Sequence, residues 1–326
     1  MTQAIQDHVV ASPFARAFFL TGATASGKTA LGIAAAREIG AEIVSLDSMA
    51  IYRGMDVGTA KPTPEERQGV PHHLFDVVDP EEEYSLVDYL KEAVRVVADI
   101  ESRGKKALFV GGTPLYLKGI LFGVFESPGA DPELRARLKE REEEAPGTLW
   151  RELSAVDSDA AQRLHPNDVK RLVRALEVYK LTGRPISSQQ TQFDAPPLVD
   201  PGRVFILTRP REELYARINK RVKIMMEEGF LEEVRHLEER GVELGPTSSK
   251  AVGYKETSRV LHGELSLDEA IERISQSTRN FAKRQETWFR SLCRDGARRL
   301  EASDKSFEEL RAEFIEGIRR FDEKDA

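Results

Sequence analysis

Eight residues near the amino terminus carry the most chemistry. Gly22-Ala23-Thr24-Ala25-Ser26-Gly27-Lys28-Thr29 fits G-x-x-x-x-G-K-[ST] with no mismatch. The stretch follows a short apolar run, Phe18-Phe19-Leu20, and precedes an amphipathic segment with Leu31, Ile33, Ala34, Ala35 and Ile39. Strand, glycine loop and helix is the context in which this spacing makes a phosphate site. Gly22 and Gly27 let the backbone curl so that successive N–H groups point inward, and the helix start adds unpaired donors and partial positive charge. Lys28 supplies a mobile cation, and Thr29 a hydroxyl suited to Mg²⁺. The loop binds a polyphosphate without saying which one.

Three further groups sit where parallel strands would end, beside such a loop. Asp47 closes a strand expected over Glu42–Leu46, where it can hold Mg²⁺, act as a general base, or simply cap the next turn. Gly111-Gly112-Thr113 closes a strand at Ala107–Val110; its glycines permit close approach and its hydroxyl can reach a ligand, although a plain turn would look the same. Arg221 lies on a helix expected over 211–227, only about 20° from Leu214 on the wheel of the inward stripe. A guanidinium there needs an anion, either a structural carboxylate or a pyrophosphate.

The elements that must position these groups read as strand–loop–helix repeated three times, with a helix over Ser85–Arg103 and another over Leu115–Leu121. That pattern predicts an α/β fold, a P-loop NTPase-like parallel sheet flanked by helices. Residues 127–202 change character: charged and helical, broken at Pro146-Gly147, Pro166 and Gly183-Arg184-Pro185, they read as an inserted all-helical subdomain. The core then comprises 16–126 and 203–322, with a strand at Arg203–Thr208 and helices near 211–227, 229–240 and 266–292. Residues 1–15 read as a loose tail. With 326 residues, 40% hydrophobic and 32% charged, the composition is that of an ordinary water-soluble protein. No apolar run is long enough to span a membrane, and the lone Cys293 excludes an internal disulfide, so the cytoplasm is the expected location. A net charge of −7 argues against a general nucleic-acid coat, leaving local basic patches to be considered. His72-His73 has no ligand spacing with other His or Cys, so no zinc site is expected.

The chain resembles the tRNA dimethylallyltransferases. The resemblance rests on the glycine loop, Asp47-Ser48, Ile51-Tyr52-Arg53-Gly54-Met55-Asp56, Gly58-Thr59-Ala60-Lys61-Pro62 and Pro71-His72-His73. It continues through Val110-Gly111-Gly112-Thr113-Pro114-Leu115-Tyr116, His165-Pro166-Asn167-Asp168, Arg174-Ala175-Leu176-Glu177, Val252-Gly253-Tyr254, and Lys283-Arg284-Gln285 with Thr287-Trp288-Phe289. These blocks span about 18 to 292 in order, and the tract from Asp47 to Pro62 is far more specific than the glycine loop. Ala23 stands where the family usually has proline, and Lys250 where arginine is common; a lysine cannot make a bidentate contact.

The resemblance implies transfer of a dimethylallyl group from its diphosphate to the exocyclic N6 amine of the adenosine 3′ of the anticodon, in tRNAs reading codons that begin with U. It implies Asp47 as base, Thr113 and Arg221 as further catalytic groups, and Gly22–Thr29 as the diphosphate-binding loop, with Thr29 contacting Mg²⁺. Contacts to the tRNA anticodon stem-loop are implied for Asp47, Ser48, Met49, Ala50, Thr113, Arg135, Lys170, Arg171, Arg174, Lys250, Gly253, Lys283, Arg284, Gln285 and Arg290. Independently, Leu267, Ile271, Ile274, Phe281, Trp288 and Leu292 form one face of helix 266–292, while Arg279, Lys283, Arg290 and Arg294 cluster on the other. Helix 168–182 likewise turns Arg171 and Arg174 outward. Two single-sign stripes in an acidic chain suit an RNA backbone better than a merely solvated face. A monomer is expected. The alternative is a P-loop kinase acting on a nucleoside or small metabolite, with Asp47 as base for a hydroxyl. A nucleotide switch is disfavoured, since no Asn-Lys-x-Asp element is present.

Overall fold

A computed structural model describes residues 12–125, 128–190 and 196–325, so most of the tail expected over 1–15 and the boundary placed at 126–127 lie outside the described residues. In chain order the elements are β1 Phe18–Gly22, α1 Lys28–Ile39, β2 Ala41–Ser45, β3 His72–His73, α2 Leu86–Ser102, β4 Lys106–Gly111 and α3 Pro114–Phe122. Five helices follow, α4 Pro132–Glu144, α5 Thr148–Val156, α6 Ser158–Arg163, α7 Val169–Thr182 and α8 Ile186–Gln189. The chain then forms β5 Val204–Thr208, α9 Arg211–Glu227, α10 Phe230–Glu239, α11 Tyr254–Leu261, α12 Leu267–Arg294, β6 Arg298–Glu301 and α13 Phe307–Asp325.

All six strands are parallel, in the order β3-β2-β4-β1-β5-β6. Helices cover a parallel sheet on both faces, so its central strands read as unbroken apolar runs, and every residue of Phe18–Gly22 is buried. On one face Phe18, Leu20, Leu108, Val110 and Phe205 pack against Leu31 and Ile33 of α1 and Phe314 and Ile318 of α13. The strand order puts the carboxyl ends of β1, β2, β4 and β5 side by side. The glycine loop, Asp47, Gly111-Gly112-Thr113 and Arg209 follow from those four ends.

The chain divides into two compact units, one running to Leu121 and resuming at Leu198, the other Phe122–Pro197. The second is wholly helical and has its own core of Leu138, Leu149, Leu153, Leu172 and Leu176. Within it the outward placement expected for Arg174 is corrected. Glu177 is fully buried, and its carboxylate accepts from Arg174 Nη1 at 2.5 Å and from Arg135 Nε at 2.7 Å. Burial would raise the Glu177 carboxyl, but Arg135, the Asp131 N–H and Arg174 outweigh it and hold it below the usual carboxylate range. Both arginines are therefore committed to a buried anion, whereas Arg171 pairs with Asp168 and is largely exposed.

Two edge strands escaped sequence reading. β6 reads Arg-Arg-Leu-Glu, with only Leu300 buried, and β3 is two histidines long. Next to β3, the Glu42 carboxylate accepts from both Arg103 and His73, and the Arg103 guanidinium does most to lower its pKa to about 2. No helix among the described residues is long and apolar enough to cross a membrane.

Candidate active site

The glycine loop leaves β1 at Gly22 and enters α1 at Lys28. Gly27 caps that helix in a left-handed conformation, and no side-chain cap bonds its first turn among the described residues, so its N–H donors stay available to an anion. Lys28 Nζ donates to Ala23 O at 3.2 Å, and Thr29 is exposed at the mouth of the loop. Burial pushes the Lys28 ammonium down to about 8; nearby Asp47 opposes this and Arg221 adds to it. Asp47, Lys28 and Arg221 therefore share one electrostatic neighbourhood. Burial likewise lowers Arg221, and Asp47 again opposes the shift.

Asp47 does both things expected of a strand-end carboxylate. Its Oδ1 accepts the Met49 N–H at 2.9 Å, an ordinary turn cap, and Oδ2 has no hydrogen bond among the described residues. Thr113 ties the two strand-end loops together, since its hydroxyl accepts the Ser48 N–H at 3.0 Å while its own N–H donates to Leu46 O at 3.1 Å. A third link comes from α12. Gln285 is buried; its Oε1 accepts the Thr24 N–H at 2.9 Å and its Nε2 donates to Gly112 O at 2.6 Å. A β-carbon on Gly112 would lie 2.7 Å from Gln285 Nε2 and 3.0 Å from the Gly22 carbonyl oxygen, so a side chain there would press on this link. Gln285 thus joins the glycine loop to the Gly-Gly-Thr loop.

Sequence reasoning found Arg221 on α9 but missed its neighbours. N–H groups that point into a phosphate nest leave the carbonyls of the same loop pointing outward. Arg217 Nε donates to Ala25 O at 2.8 Å, Arg209 Nε donates to Ser26 O at 2.7 Å, and Arg221 Nη1 reaches Thr24 Oγ1 at 3.3 Å. The signal available in the sequence was the i, i+4 pair Arg217–Arg221 beside the inward stripe.

A cavity of about 80 Å³ lies inside this framework, with Thr24, Lys28, Thr29 and Arg221 toward the glycine loop and Asp47, Gly112 and Gln285 beside them. Ile43, Phe75, Val110 and Phe281 give it apolar wall, and Thr59–Pro62 form another side. A larger groove of about 1560 Å³ shares Lys28, Thr29 and Arg221 with it.

Other expected residues lie elsewhere. Lys283, Arg284, Arg290 and Arg294 are exposed on α12, but Arg279 packs onto α9, donating to Asn219 at 2.6 Å. The inward face of α12 keeps Ile274 and Leu292 of the expected stripe but is rotated from it, since Ala282, Gln285 and Phe289 are buried too while Leu267 is 43% exposed. Met49 and Ala50 follow Asp47, with Ala50 buried, and Lys170 and Lys250 are exposed. Gly253 caps α11 with φ 102°.

The family model described as "IPP transferase" matches residues 50–292, and that described as "Isopentenyl transferase" matches 15–76. The chain belongs to the IPP transferase family. The tRNA dimethylallyltransferase of Geobacter metallireducens is 49% identical over 279 residues, covering 84% of this chain and 89% of that one. The full-length tRNA isopentenylpyrophosphate transferase of Bacillus halodurans superposes with a TM-score of 0.69 at 35% identity, covering 95% of this chain and 99% of that one. A eukaryotic dimethylallyltransferase captured acting on tRNA gives 0.74 at 28% identity, over 88% of this chain and 74% of the other. These relatives of the IPP transferase family are prenyl transferases, which favours prenyl transfer over the kinase alternative.

Proposed function

We propose that this chain transfers a dimethylallyl group from dimethylallyl diphosphate to N6 of the adenosine 3′ of the anticodon, in tRNAs reading codons that begin with U. The observation that carries the reading is a single small cavity lined by Asp47, Lys28 and Arg221, with an apolar wall beside them. A kinase needs cations and a base, but an apolar wall next to the phosphate end suits an isoprenoid tail.

In this reading the first-turn N–H groups of α1, Lys28 and Arg221 hold the diphosphate. The adenosine leaves its stack to enter the cavity. As N6 bonds to C1 of the allyl group, the C1–O bond breaks and its electron pair leaves on diphosphate. Asp47 takes the proton that N6 gives up. Charge growing on the leaving oxygens meets donors already aimed at it, so little reorganisation is needed. Thr113 and Gln285 hold the two strand-end loops around the base. Mg²⁺ keeps several waters and takes few protein ligands when it binds with substrate phosphates. The exposed Thr29 hydroxyl fits one such ligand position, and no cluster of three acidic, His or Cys side chains exists among the described residues to compete for the ion. When bound there, Mg²⁺ would neutralise diphosphate charge.

For the RNA, exposed Arg171, Lys170, Lys283, Arg284, Arg290 and Lys250 are the proposed phosphate contacts, and Arg135 and Arg174 are proposed to serve through Glu177 instead. Monomeric action in the cytoplasm completes the proposal. The test incubates the protein with radiolabelled dimethylallyl diphosphate and tRNA, in parallel with labelled ATP and nucleosides. Label entering tRNA at that adenosine is expected; a phosphorylated nucleoside with unlabelled tRNA would replace this reading with the kinase one.

A further inference from the structure

The tract Asp47–Pro62 starts at the proposed base and ends as a wall of the cavity, yet apart from an isolated bridge at Tyr52 it is turns, bends and irregular backbone, with no strand or helix to hold it. Three successive N–H groups in its middle converge on one carboxylate. Asp56 N and Val57 N donate to Glu233 Oε2 at 2.7 and 2.6 Å, and Gly58 N donates to Oε1 at 3.1 Å. Tyr254 Oη donates to the same Oε1 at 2.7 Å. A carboxylate offers about four acceptor positions, and here all four are used.

Glu233 sits in the first turn of α10, where a carboxylate commonly caps its own helix. No side chain caps this one. The carboxylate is committed instead to a backbone nest of the kind that binds anions. Close packing fixes the same junction. A β-carbon on Gly58 would lie 2.3 Å from Phe230 and 2.7 Å from Tyr254, and one on Gly253 would lie 2.8 Å from Phe230. Immediately after Gly58 come Thr59, Ala60, Lys61 and Pro62, which line the cavity with Asp47 and Lys28. Immediately before Tyr254 comes the Lys250–Gly253 segment, proposed above to meet tRNA.

We infer that Glu233 is a positioning residue: its carboxylate, held by Tyr254, fixes the 56–58 turn and through it the Thr59–Pro62 wall of the reaction cavity. The inference rests on the proposed prenyl transfer. It ties the segment at 250–254 to the wall that shapes the bound allyl group, with no direct contact to the reacting atoms.

The test compares the wild type with Glu233→Ala, Glu233→Gln and Tyr254→Phe in single-turnover transfer, tRNA binding and amide hydrogen exchange. Glu233→Ala should slow transfer on the order of 30-fold with tRNA affinity within about 2-fold, because the interaction acts on the cavity rather than the RNA. Acetate at high concentration should recover part of that rate in Glu233→Ala and none in the wild type, since it can refill the nest. Tyr254→Phe removes one donor and should lose only about 3-fold. Should Glu233→Ala fail to fold, Glu233→Gln decides: its amide keeps one acceptor oxygen but sets an NH2 donor against at least one of the three N–H groups, so the nest loses part of its anchor, and wild-type transfer with wild-type exchange at 56–58 there overturns the proposal. A slowed Glu233→Ala that ignores acetate and keeps its exchange protection at 56–58 overturns it too. If the wild type transfers nothing to tRNA, the proposed reaction fails, while exchange at 56–58 in the variants still reports whether Glu233 holds the turn.

Discussion

Lys28 offers a test that needs no structural change at all, only pH. Its ammonium is pushed down to about 8, chiefly by burial. A bound diphosphate is an anion and must draw the proton back, so binding takes up a proton near that pH and weakens as pH rises through it. Titration about pKa 8 leaves roughly 75% of Lys28 charged at pH 7.5 and roughly 10% at pH 9, so kcat/KM for dimethylallyl diphosphate should fall about eightfold across that window. The assay measures transfer at low diphosphate substrate and saturating tRNA from pH 6.5 to 9.5. Calorimetry with inorganic diphosphate, in buffers of different ionisation enthalpy, should register the proton uptake directly.

The neighbours give the prediction its sign. Asp47 raises Lys28 and Arg221 lowers it. Asp47→Asn should therefore move the inflection to lower pH, and Arg221→Met should move it higher, whatever each does to the absolute rate. Lys28→Arg should abolish the limb, because a guanidinium stays charged throughout this range. A profile flat to pH 9.5, or an unchanged inflection in Lys28→Arg, would refute the reasoning, and Lys28 would not be the group that meets the diphosphate.

Three other outcomes follow from the same geometry. Asp47→Asn should lower single-turnover transfer by roughly 10² or more with tRNA binding little altered; near-normal turnover would leave Asp47 as the cap of Met49 and nothing more. Arg209→Met and Arg217→Met should each weaken diphosphate binding about tenfold, since each removes a charge-assisted bond of roughly 1.5 kcal/mol that holds a loop carbonyl; unchanged dissociation constants would mean the loop is rigid without them. Lys283→Ala with Arg290→Ala should lower the salt slope of tRNA binding by roughly 0.7–0.9 per charge, whereas Arg174→Ala should chiefly destabilise the helical unit, by about 3 kcal/mol, by leaving Glu177 short of a partner. Thermal unfolding identical to wild type in Arg174→Ala would rule out that role.

What could be read from the sequence was local or periodic. The glycine loop is contiguous, and Asp47 and Gly111-Gly112-Thr113 each follow an apolar run whose strand character is plain. The parallel sheet follows from alternation of such runs with helices. What could not be read depends on pairing across the chain. A wheel puts Gln285 in line with Leu267, about five full turns on and inside the apolar stripe, where a polar side chain reads as an exception; it cannot show that two loops need one donor and one acceptor at that spot. The same wheel turned the inward face of α12 toward Trp288 and Leu267. Arg174 reads as surface until the fully buried Glu177 three residues later is seen to need it. β6 has the composition of a solvated turn, and only its pairing with β5 through Phe205↔Arg298 to Thr208↔Glu301 makes it a strand.

The phosphate loop itself is incomplete as a local object. A nest that presents N–H groups inward has carbonyls facing out, and in this chain those carbonyls and one N–H are satisfied from the carboxyl-terminal half. Arg209 and Arg217 hold Ser26 and Ala25 across 183 and 192 residues, and Gln285 holds Thr24 across 261. Without these bonds the loop would have to order itself as charge develops on the leaving diphosphate, and donors that reorganise during a reaction stabilise it less than donors already in place. The same three residues lie on β5's exit, α9 and α12, the elements that also carry Arg221 and the exposed cations proposed for RNA. If the proposed contacts hold, a single scaffold fixes the diphosphate end and the RNA end together. On the proposed reading, the motif near the amino terminus, common to many unrelated phosphate-binding proteins, depends for its particular chemistry on the bonds that reach it from as far along the chain as Gln285.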